Sequence, residues 1–181
     1  MSQEEYIAEQ SKKGDRNAQR QLYERYAGWL LGVCLRYVGR QDVAEDLLQD
    51  VFIHILTHMQ QFHWQGEGSL KAWLFRVQQN IILQYIRKKE DVFSLDDNPQ
   101  LAQDIPEPEN VNTIPRGVLL KMISELPLGY RTVFNLFVID GLSHREIAQK
   151  LGIKEKSSAS QLVHARRLLA EQINNWKKEN L

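Results

Sequence analysis

The sequence is short of several features that mark common classes of protein. Cys34 is the only cysteine among 181 residues, so an intrachain disulfide and a cluster of thiolate metal ligands are both excluded. No apolar run reaches the roughly 18 residues that can cross a membrane. The first residues, Met1–Glu5, lack the basic-then-apolar order of a signal peptide. We therefore expect a cytoplasmic protein.

Motifs for catalysis and for cofactor binding are also missing. The sequence contains no G-x-S-x-G, no glycine-rich phosphate loop and no H-E-x-x-H. His54 and His58 are four residues apart, which places them on one helix face, but only His63 is near them. We predict no catalytic site, no cofactor and no metal site.

Charge is distributed unevenly along the chain although it sums to zero. Residues 1–90 hold 12 Lys and Arg against 11 Asp and Glu, residues 91–114 hold none against 6, and residues 115–181 hold 11 against 6. Pro99, Pro106 and Pro108 fall in the acidic stretch and argue against a packed element there. Because phosphate contacts depend on local patches, overall neutrality does not exclude nucleic-acid binding.

Apolar residues in the first 90 positions recur at helical spacing, and nothing resembles a strand. One helix is predicted from about Arg16 to Val38, and Gly39 ends it. Asp42 is predicted to cap the next helix, which continues to Phe62.

A third helix is predicted to begin with Ser69 as its N-cap and to end near Arg87. Between Lys71 and Lys89 there are five basic residues and no acid. Positive charge follows a phosphate backbone, and aromatic rings stack on unpaired bases. Trp73 and Tyr85 lie on the apolar stripe and are expected in the core. The candidate nucleic-acid contacts are Lys71, Phe75, Arg76, Asn80, Arg87 and Lys88.

The C-terminal part contains a helix-turn-helix pattern. Ser143 and Glu146 form an S-x-x-E capping box, and Gly152 ends the short helix that follows. In such a motif the second helix is presented to the DNA major groove. Leu162, Leu169, Ile173 and Trp176 share one apolar stripe of that second helix. The opposite side supplies the candidate DNA contacts Ser157, Ser160, Gln161, His164, Arg166 and Arg167.

These patterns predict an all-α protein of two small helical domains joined by an acidic, proline-containing linker. The predicted boundaries are 1–90 for the N-terminal domain, 91–114 for the linker and 115–181 for the helix-turn-helix domain.

Several motifs in this order resemble the extracytoplasmic-function (ECF) sigma factors of bacterial RNA polymerase, in the sigma-70 family. The resemblance covers nearly the whole chain. The motifs are Gly14-Asp15, Leu22-Tyr23-Glu24-Arg25-Tyr26, the segment 42–52, Lys71-Ala72-Trp73-Leu74-Phe75-Arg76 with Asn80, Leu126-Pro127 and the helix-turn-helix.

The resemblance implies a dissociable specificity subunit that is not an enzyme by itself. It implies that core RNA polymerase binds a surface formed by Asp46, Gln49, Asp50 and Phe52. The 71–89 helix would engage and help to melt the −10 promoter element, and the helix-turn-helix would read the −35 element. The resemblance also implies an anti-sigma factor as a further partner.

Three departures from the family pattern lie in or beside the helices to which the resemblance assigns DNA recognition. Gln84 stands where an aspartate is usual, and Ser157–Gln161 stands where the family often has Thr-Val-Lys-Ser-Arg; Lys154 replaces a usual capping serine.

Two alternatives to the sigma-factor interpretation remain open. One is a helix-turn-helix regulator of the response-regulator type, which requires a sensor or an α/β receiver in the N-terminal half. The other is a helical scaffold, which does not require a basic C-terminal half.

Overall fold

The computed structural model describes residues 1–89, 92–93 and 113–180. Across these residues the chain is helical and contains no strand, which confirms the all-α prediction. It divides into an N-terminal unit, Met1–Tyr85, and a C-terminal unit, Ile86–Leu181. The six acids of the predicted linker lie outside the described residues.

The N-terminal unit consists of α1 (Gln3–Lys12), α2 (Arg16–Val38), α3 (Gln41–His58) and most of α4 (Ser69–Arg87). A 3₁₀ turn, Met59–Gln61, extends α3. Helix α2 packs against both α1 and α3. The shared core is apolar and includes Ile7, Leu22, Tyr26, Leu30, Leu48, Val51, Ile55, Leu70 and Leu74.

Local signals fix both ends of α2, and the predicted bounds are confirmed. The Asp15 carboxylate accepts a hydrogen bond from the Ala18 N–H at 2.7 Å, and Gly39 ends the helix with a φ of 69°. Such a left-handed backbone favours glycine.

The cap predicted for α3 is wrong. Arg40 occupies the N-cap position and makes no side-chain cap. Asp42 lies inside the first turn, where its carboxylate is 2.5 Å from a nitrogen of the Arg40 guanidinium. A carboxylate in the first turn of a helix is favourable even when it is not the cap. Asp42 therefore stabilises the start of α3 from within the first turn, paired with Arg40.

The C-terminal unit consists of α5 (Arg116–Glu125), α6 (Leu128–Phe134), α7 (His144–Leu151) and α8 (Glu155–Asn180). A π-helical turn, Asn135–Ile139, continues α6. Helices α5, α6 and α7 all contact α8, the longest helix of this unit. The buried apolar residues of the C-terminal unit include Ile114, Met122, Leu126, Val133, Leu136, Ile147, Leu151, Leu162, Ala165, Ala170 and Ile173.

None of the helices in the described part of the chain combines the length and the apolarity needed to span a membrane.

Candidate nucleic-acid and partner interfaces

The helix-turn-helix is formed by α7, a turn at Gly152 and α8. The Ser143 hydroxyl accepts from the Glu146 N–H, and the Glu146 carboxylate accepts from the Ser143 N–H at 2.8 Å. These hydrogen bonds lower the pKa of Glu146, the larger cause being the Ser143 hydroxyl. Gly152 has a φ of 70° and ends α7, so the predicted capping box and turn are confirmed.

The apolar stripe of α8 predicted that Gln161 and His164 lie on the exposed side of this helix. The structure buries both side chains instead. Gln161 is 2% exposed and His164 is 8% exposed. The His164 ring stacks on Tyr130 of α6 at 5.2 Å between centroids. A Cβ on Gly129 would lie 2.9 Å from Oε1 of Gln161, so a glycine allows α6 to come this close. The prediction failed because α6 and α7 both cover α8, and a single apolar stripe does not describe that packing.

Ser158 of α8 is also buried, and its hydroxyl lies 3.0 Å from Nδ1 of His144 on α7. Burial lowers the pKa of His144, while the Glu155 carboxylate acts in the opposite direction. The His144 ring also stacks on Phe137 at 4.5 Å. Polar and aromatic contacts therefore hold the first half of α8 against the rest of the unit.

The first half of α8 still has one uncovered side. Ser160 and Arg167 are partly exposed and Arg166 is exposed. Their neighbours on this side, given the 100° rotation per residue of an α-helix, are Lys156, Ala159 and Val163, which are at least partly exposed. Ser157 is partly exposed beside them. A small polar group, small apolar groups and flanking cations are the combination that reads base edges and holds phosphates.

The candidate contacts on α4 divide between two sides of the helix. Arg76, Asn80 and Arg87 are exposed and, with Gln84, follow one another along a single stripe. Lys88 is exposed at the end of the helix. Lys71 and Phe75 lie on another side, facing α2. The sequence had treated these six residues as one surface.

Lys71 lines an open cavity of about 540 Å³ at the start of α4. The Lys71 ammonium lies 5.0 Å from the centroid of the Trp29 ring, and the Phe75 ring lies 6.2 Å from it. Arg25, Trp29 and Lys71 line the cavity together with Ser2, Gln3, Glu4, Tyr26, Glu67 and Gly68. The lining carries two cations, Arg25 and Lys71, and two carboxylates, Glu4 and Glu67, and the Trp29 ring offers a flat face on which a base can stack.

Ser69 does not cap α4, which corrects the prediction. Its hydroxyl donates to the Gly66 carbonyl at 2.6 Å and accepts from the Gln65 N–H at 3.2 Å. The N–H groups at the start of α4 bond instead to the Glu4 carboxylate, which comes from α1.

The outer face of α3 presents apolar and acidic side chains together. Asp46, Gln49 and Asp50 are exposed, as predicted for a docking surface. Ile53 is 63% exposed on the same face. Leu56, and Tyr23 of α2, are also exposed. We call Tyr23, Asp46, Gln49, Asp50, Ile53 and Leu56 the α3 face.

Phe52 is not part of the α3 face, contrary to the prediction. It is only 7% exposed and its ring lies 4.7 Å from the Tyr23 ring. Position 52 falls one turn after the buried Leu48 and so points inward. The exposed apolar side chain is that of the next residue, Ile53.

His54 and His58 come together on α3 with their rings stacked at 3.9 Å. Burial, and then the neighbouring His58, lower the pKa of His54. No group of three or more His, Cys, Asp or Glu suited to a metal ion is found within the described ranges.

Comparison with known families explains why these faces occur in one chain. Residues 22–91 match a model described as Sigma-70 region 2, and residues 116–169 match one described as Sigma-70, region 4. The sigma factor SigZ of Bacillus subtilis is 30% identical over 129 residues, covering 71% of this chain and 72% of SigZ. The chain belongs to the ECF sigma factors of the sigma-70 family.

Other ECF sigma factors match over nearly their whole length. SigW of Bacillus subtilis is 29% identical over 178 residues, covering 92% of this chain and 94% of SigW. The sigma-E factor of Haemophilus influenzae is 26% identical, covering 92% and 93% respectively. The fold is similar to that of RpoE from Bartonella quintana, solved in complex with the anti-sigma factor NepR, with a TM-score of 0.50, 22% identity and coverage of 86% and 96%.

The two family matches map onto the faces described above. In this ECF sigma factor the region 2 match covers the α3 face and α4, and the region 4 match covers α5 to α7 and the first half of α8. Helix α1, with Glu4, precedes residue 22, where the region 2 match begins.

Three residues at these surfaces were missed by sequence reasoning. Trp29 recurs at helical spacing with the apolar residues of α2, a pattern that predicts a core position, yet it lines the cavity. Ile53 was not considered, although an isoleucine one helical turn after Gln49 and Asp50, off the apolar stripe, was the available signal. Glu4 gave no local signal, because the groups that it binds are more than 60 positions away.

Proposed function

We propose that this chain binds core RNA polymerase, directs it to promoters through −10 and −35 elements, and promotes transcription initiation. The observation that supports this best is the pairing of a region 2 match and a region 4 match in one chain, each carrying an exposed face suited to its role. A helix-turn-helix alone would favour any DNA-binding regulator.

The α3 face is the proposed docking site for core polymerase. It combines an exposed aliphatic centre, Ile53, with the carboxylates of Asp46 and Asp50 and the amide of Gln49. An apolar centre within a polar rim is the usual anatomy of a specific protein interface. The carboxylates would select a partner surface carrying positive charge.

Helix α4, together with the cavity at its start, is the proposed site for the opened −10 element. The exposed cations Arg76, Arg87 and Lys88 would follow the phosphates of the displaced strand. The adjoining cavity has a volume of about 540 Å³, within the roughly 300–1,000 Å³ of small-molecule sites. It would receive an unstacked base against Trp29 and Lys71. Holding unpaired bases in this way favours the open state of the duplex.

The uncovered side of α8 is the proposed reader of the −35 element. Ser160, Ala159 and Val163 would face base edges, where the apolar groups suit the methyl group of thymine. Arg166 and Arg167 would hold phosphates. This surface offers few bidentate donors, so we expect weak binding to duplex DNA alone. Useful affinity would come from linkage to the −10 site and to the polymerase.

An anti-sigma factor is included in the proposal as a regulatory partner. Support comes from the RpoE structure, which shares the fold and is described in complex with an anti-sigma factor. Acting with RNA polymerase on chromosomal promoters implies a cytoplasmic location and no catalytic chemistry in this chain itself.

Reconstitution with bacterial core RNA polymerase tests the function. We expect the chain to co-elute with core polymerase and to start transcripts on fragmented genomic DNA at sites preceded by two shared elements. Ile53→Asp should abolish binding and transcripts together. Arg166→Glu with Arg167→Glu should retain core binding and lose transcripts. Absence of a complex with core, or transcript starts identical to those of core alone, would reject the proposal.

The same experiment separates the response-regulator alternative. A regulator of that type would shift its duplex target without polymerase and would not confer initiation on core. Its α/β receiver also finds no counterpart in the described part of the N-terminal unit, which has only helices.

A further inference from the structure

The N-cap residue of α4 is a glycine, so this helix has no N-cap side chain of its own. The Ala72 N–H donates to the Gly68 carbonyl at 3.0 Å, which makes Gly68 the N-cap residue. Most helices use a Ser, Thr, Asp or Asn side chain here to accept from the first N–H groups. Gly68 has no side chain, and the Ser69 hydroxyl is engaged with the loop.

The Glu4 carboxylate makes the missing contacts from another helix. Its Oε2 accepts from the Gly68 N–H at 2.8 Å, and its Oε1 accepts from the Lys71 N–H at 3.4 Å. These are the N-cap and N3 groups of α4, the same pair that a capping box satisfies within one helix. The Tyr26 hydroxyl also donates to Oε1 of Glu4, at 3.1 Å.

We propose that Glu4 is a positioning residue for the −10 site, because it fixes the start of α4 and the loop before it against α1 and α2. This inference rests on the proposed function of that site. Glu4 itself would touch the loop backbone, and it would act on DNA through the Lys71 and Trp29 side chains.

Burial and charge both make this contact strong. Glu4 is 9% exposed, and a buried carboxylate is tolerated only when donors surround it. Hydrogen bonds to an ionised group are roughly twice as strong as those between neutral groups, and the helix dipole favours an anion at this end. Burial, and then the Glu4 carboxylate, raise the pKa of Tyr26 to about 12, which opposes loss of the proton that the hydroxyl donates to Glu4.

The loop needs such a contact because it contains two glycines with left-handed backbones. Gly66 has a φ of 106° and Gly68 a φ of 82°. Glycine gains more conformational freedom than other residues when released. Release of the loop would move Glu67, Gly68 and Lys71 away from Trp29, and all four line the cavity. The pocket would then exist for only part of the time, and its affinity for a base would fall in proportion.

Glu4→Gln is the sharpest perturbation, because it keeps the shape and leaves only one oxygen to accept. Glu5→Gln is the matched control: it removes the same charge from the next position of α1. In the free full-length chain we expect hydrogen exchange at the Gly68 and Lys71 amides to accelerate about 2- to 30-fold in Glu4→Gln, the range expected for loss of a cap. Exchange in α3 should stay unchanged in Glu4→Gln. In Glu5→Gln the Gly68 and Lys71 amides should exchange at the wild-type rate.

The functional readout uses the complete holoenzyme on a promoter found by the transcription experiment above. Glu4→Gln should lower the fraction of permanganate-reactive thymines in the −10 element at least threefold, with core affinity unchanged within twofold.

Unaltered hydrogen exchange at the Gly68 and Lys71 amides would overturn the inference. So would a uniform rise in exchange across the N-terminal unit, or accelerated exchange with normal promoter opening. Failure of the wild-type chain to direct transcription would instead reject the proposed function, while the exchange result still tests the cap.

Discussion

Replacing Ile53 by alanine tests whether the α3 face docks on core polymerase. Covering an isoleucine side chain completely is worth about 1.5–3 kcal/mol. Ile53 is 63% exposed, so an interface can gain about 1–2 kcal/mol there. Alanine keeps the Cβ, and the expected loss is therefore about 1–1.4 kcal/mol, which weakens the Kd for core polymerase about five- to tenfold.

The neighbouring Phe52→Ala should behave in the opposite way. Phe52 is 7% exposed, and truncating a buried phenylalanine costs about 3–5 kcal/mol of stability. A small domain has only about 5–15 kcal/mol in total. Phe52→Ala should therefore lower the unfolding temperature strongly, whereas Ile53→Ala should leave it almost unchanged.

Equilibrium binding to core polymerase, followed by fluorescence, and thermal unfolding, followed by circular dichroism, measure the two effects. Tyr6→Ala is the control, since Tyr6 is an aromatic side chain 43% exposed on α1 and is not one of the residues of the α3 face. It should keep the wild-type Kd. An Ile53→Ala protein with wild-type affinity would remove α3 from the interface. One that unfolds as readily as Phe52→Ala would show that the outer face of α3 is assigned incorrectly.

Three further outcomes are expected. Arg166→Glu with Arg167→Glu should weaken promoter binding and reduce the salt slope of log K by about two, at about 0.9 per phosphate contact; an unchanged slope places both residues off the DNA. Ser143→Ala should cost the C-terminal unit about 1 kcal/mol through loss of the cap, seen as a lower midpoint in thermal unfolding, and an unmoved midpoint argues against the capping box. Replacing the six acids of 91–114 by Asn or Gln should reduce transcript yield during initiation more than promoter binding, and equal yields contradict this.

The helix bounds were predictable wherever the signal was local. Asp15 and Gly39 mark the two ends of α2 within the same segment of chain, and the structure has them at those positions. Ser143 and Gly152 do the same for α7. These residues act on backbone groups one to four positions away, so one sequence window contains the whole interaction.

The predictions failed where a distant element supplied the contact. Ser69 had the right chemistry for a cap, but its hydroxyl donates to the Gly66 carbonyl, and the Glu4 carboxylate of α1 accepts from the Gly68 N–H instead. Gln161 and His164 had the polarity of a DNA-reading face, but α6 and α7 both pack against α8, and the two side chains are buried. In each case the local pattern was compatible with the prediction, and tertiary packing selected another arrangement.

The composition of the α3 face suits the proposed role of a surface that docks on core polymerase and later separates from it. A wholly apolar patch would bind more tightly but would expose the free chain to aggregation. Here the apolar groups Ile53, Leu56 and Tyr23 share the surface with Asp46 and Asp50. Non-obligate interfaces are only about as apolar as the rest of a protein surface. In the proposed complex the carboxylates of Asp46 and Asp50 would add specificity, and a few kcal/mol from the apolar centre would leave the binding reversible.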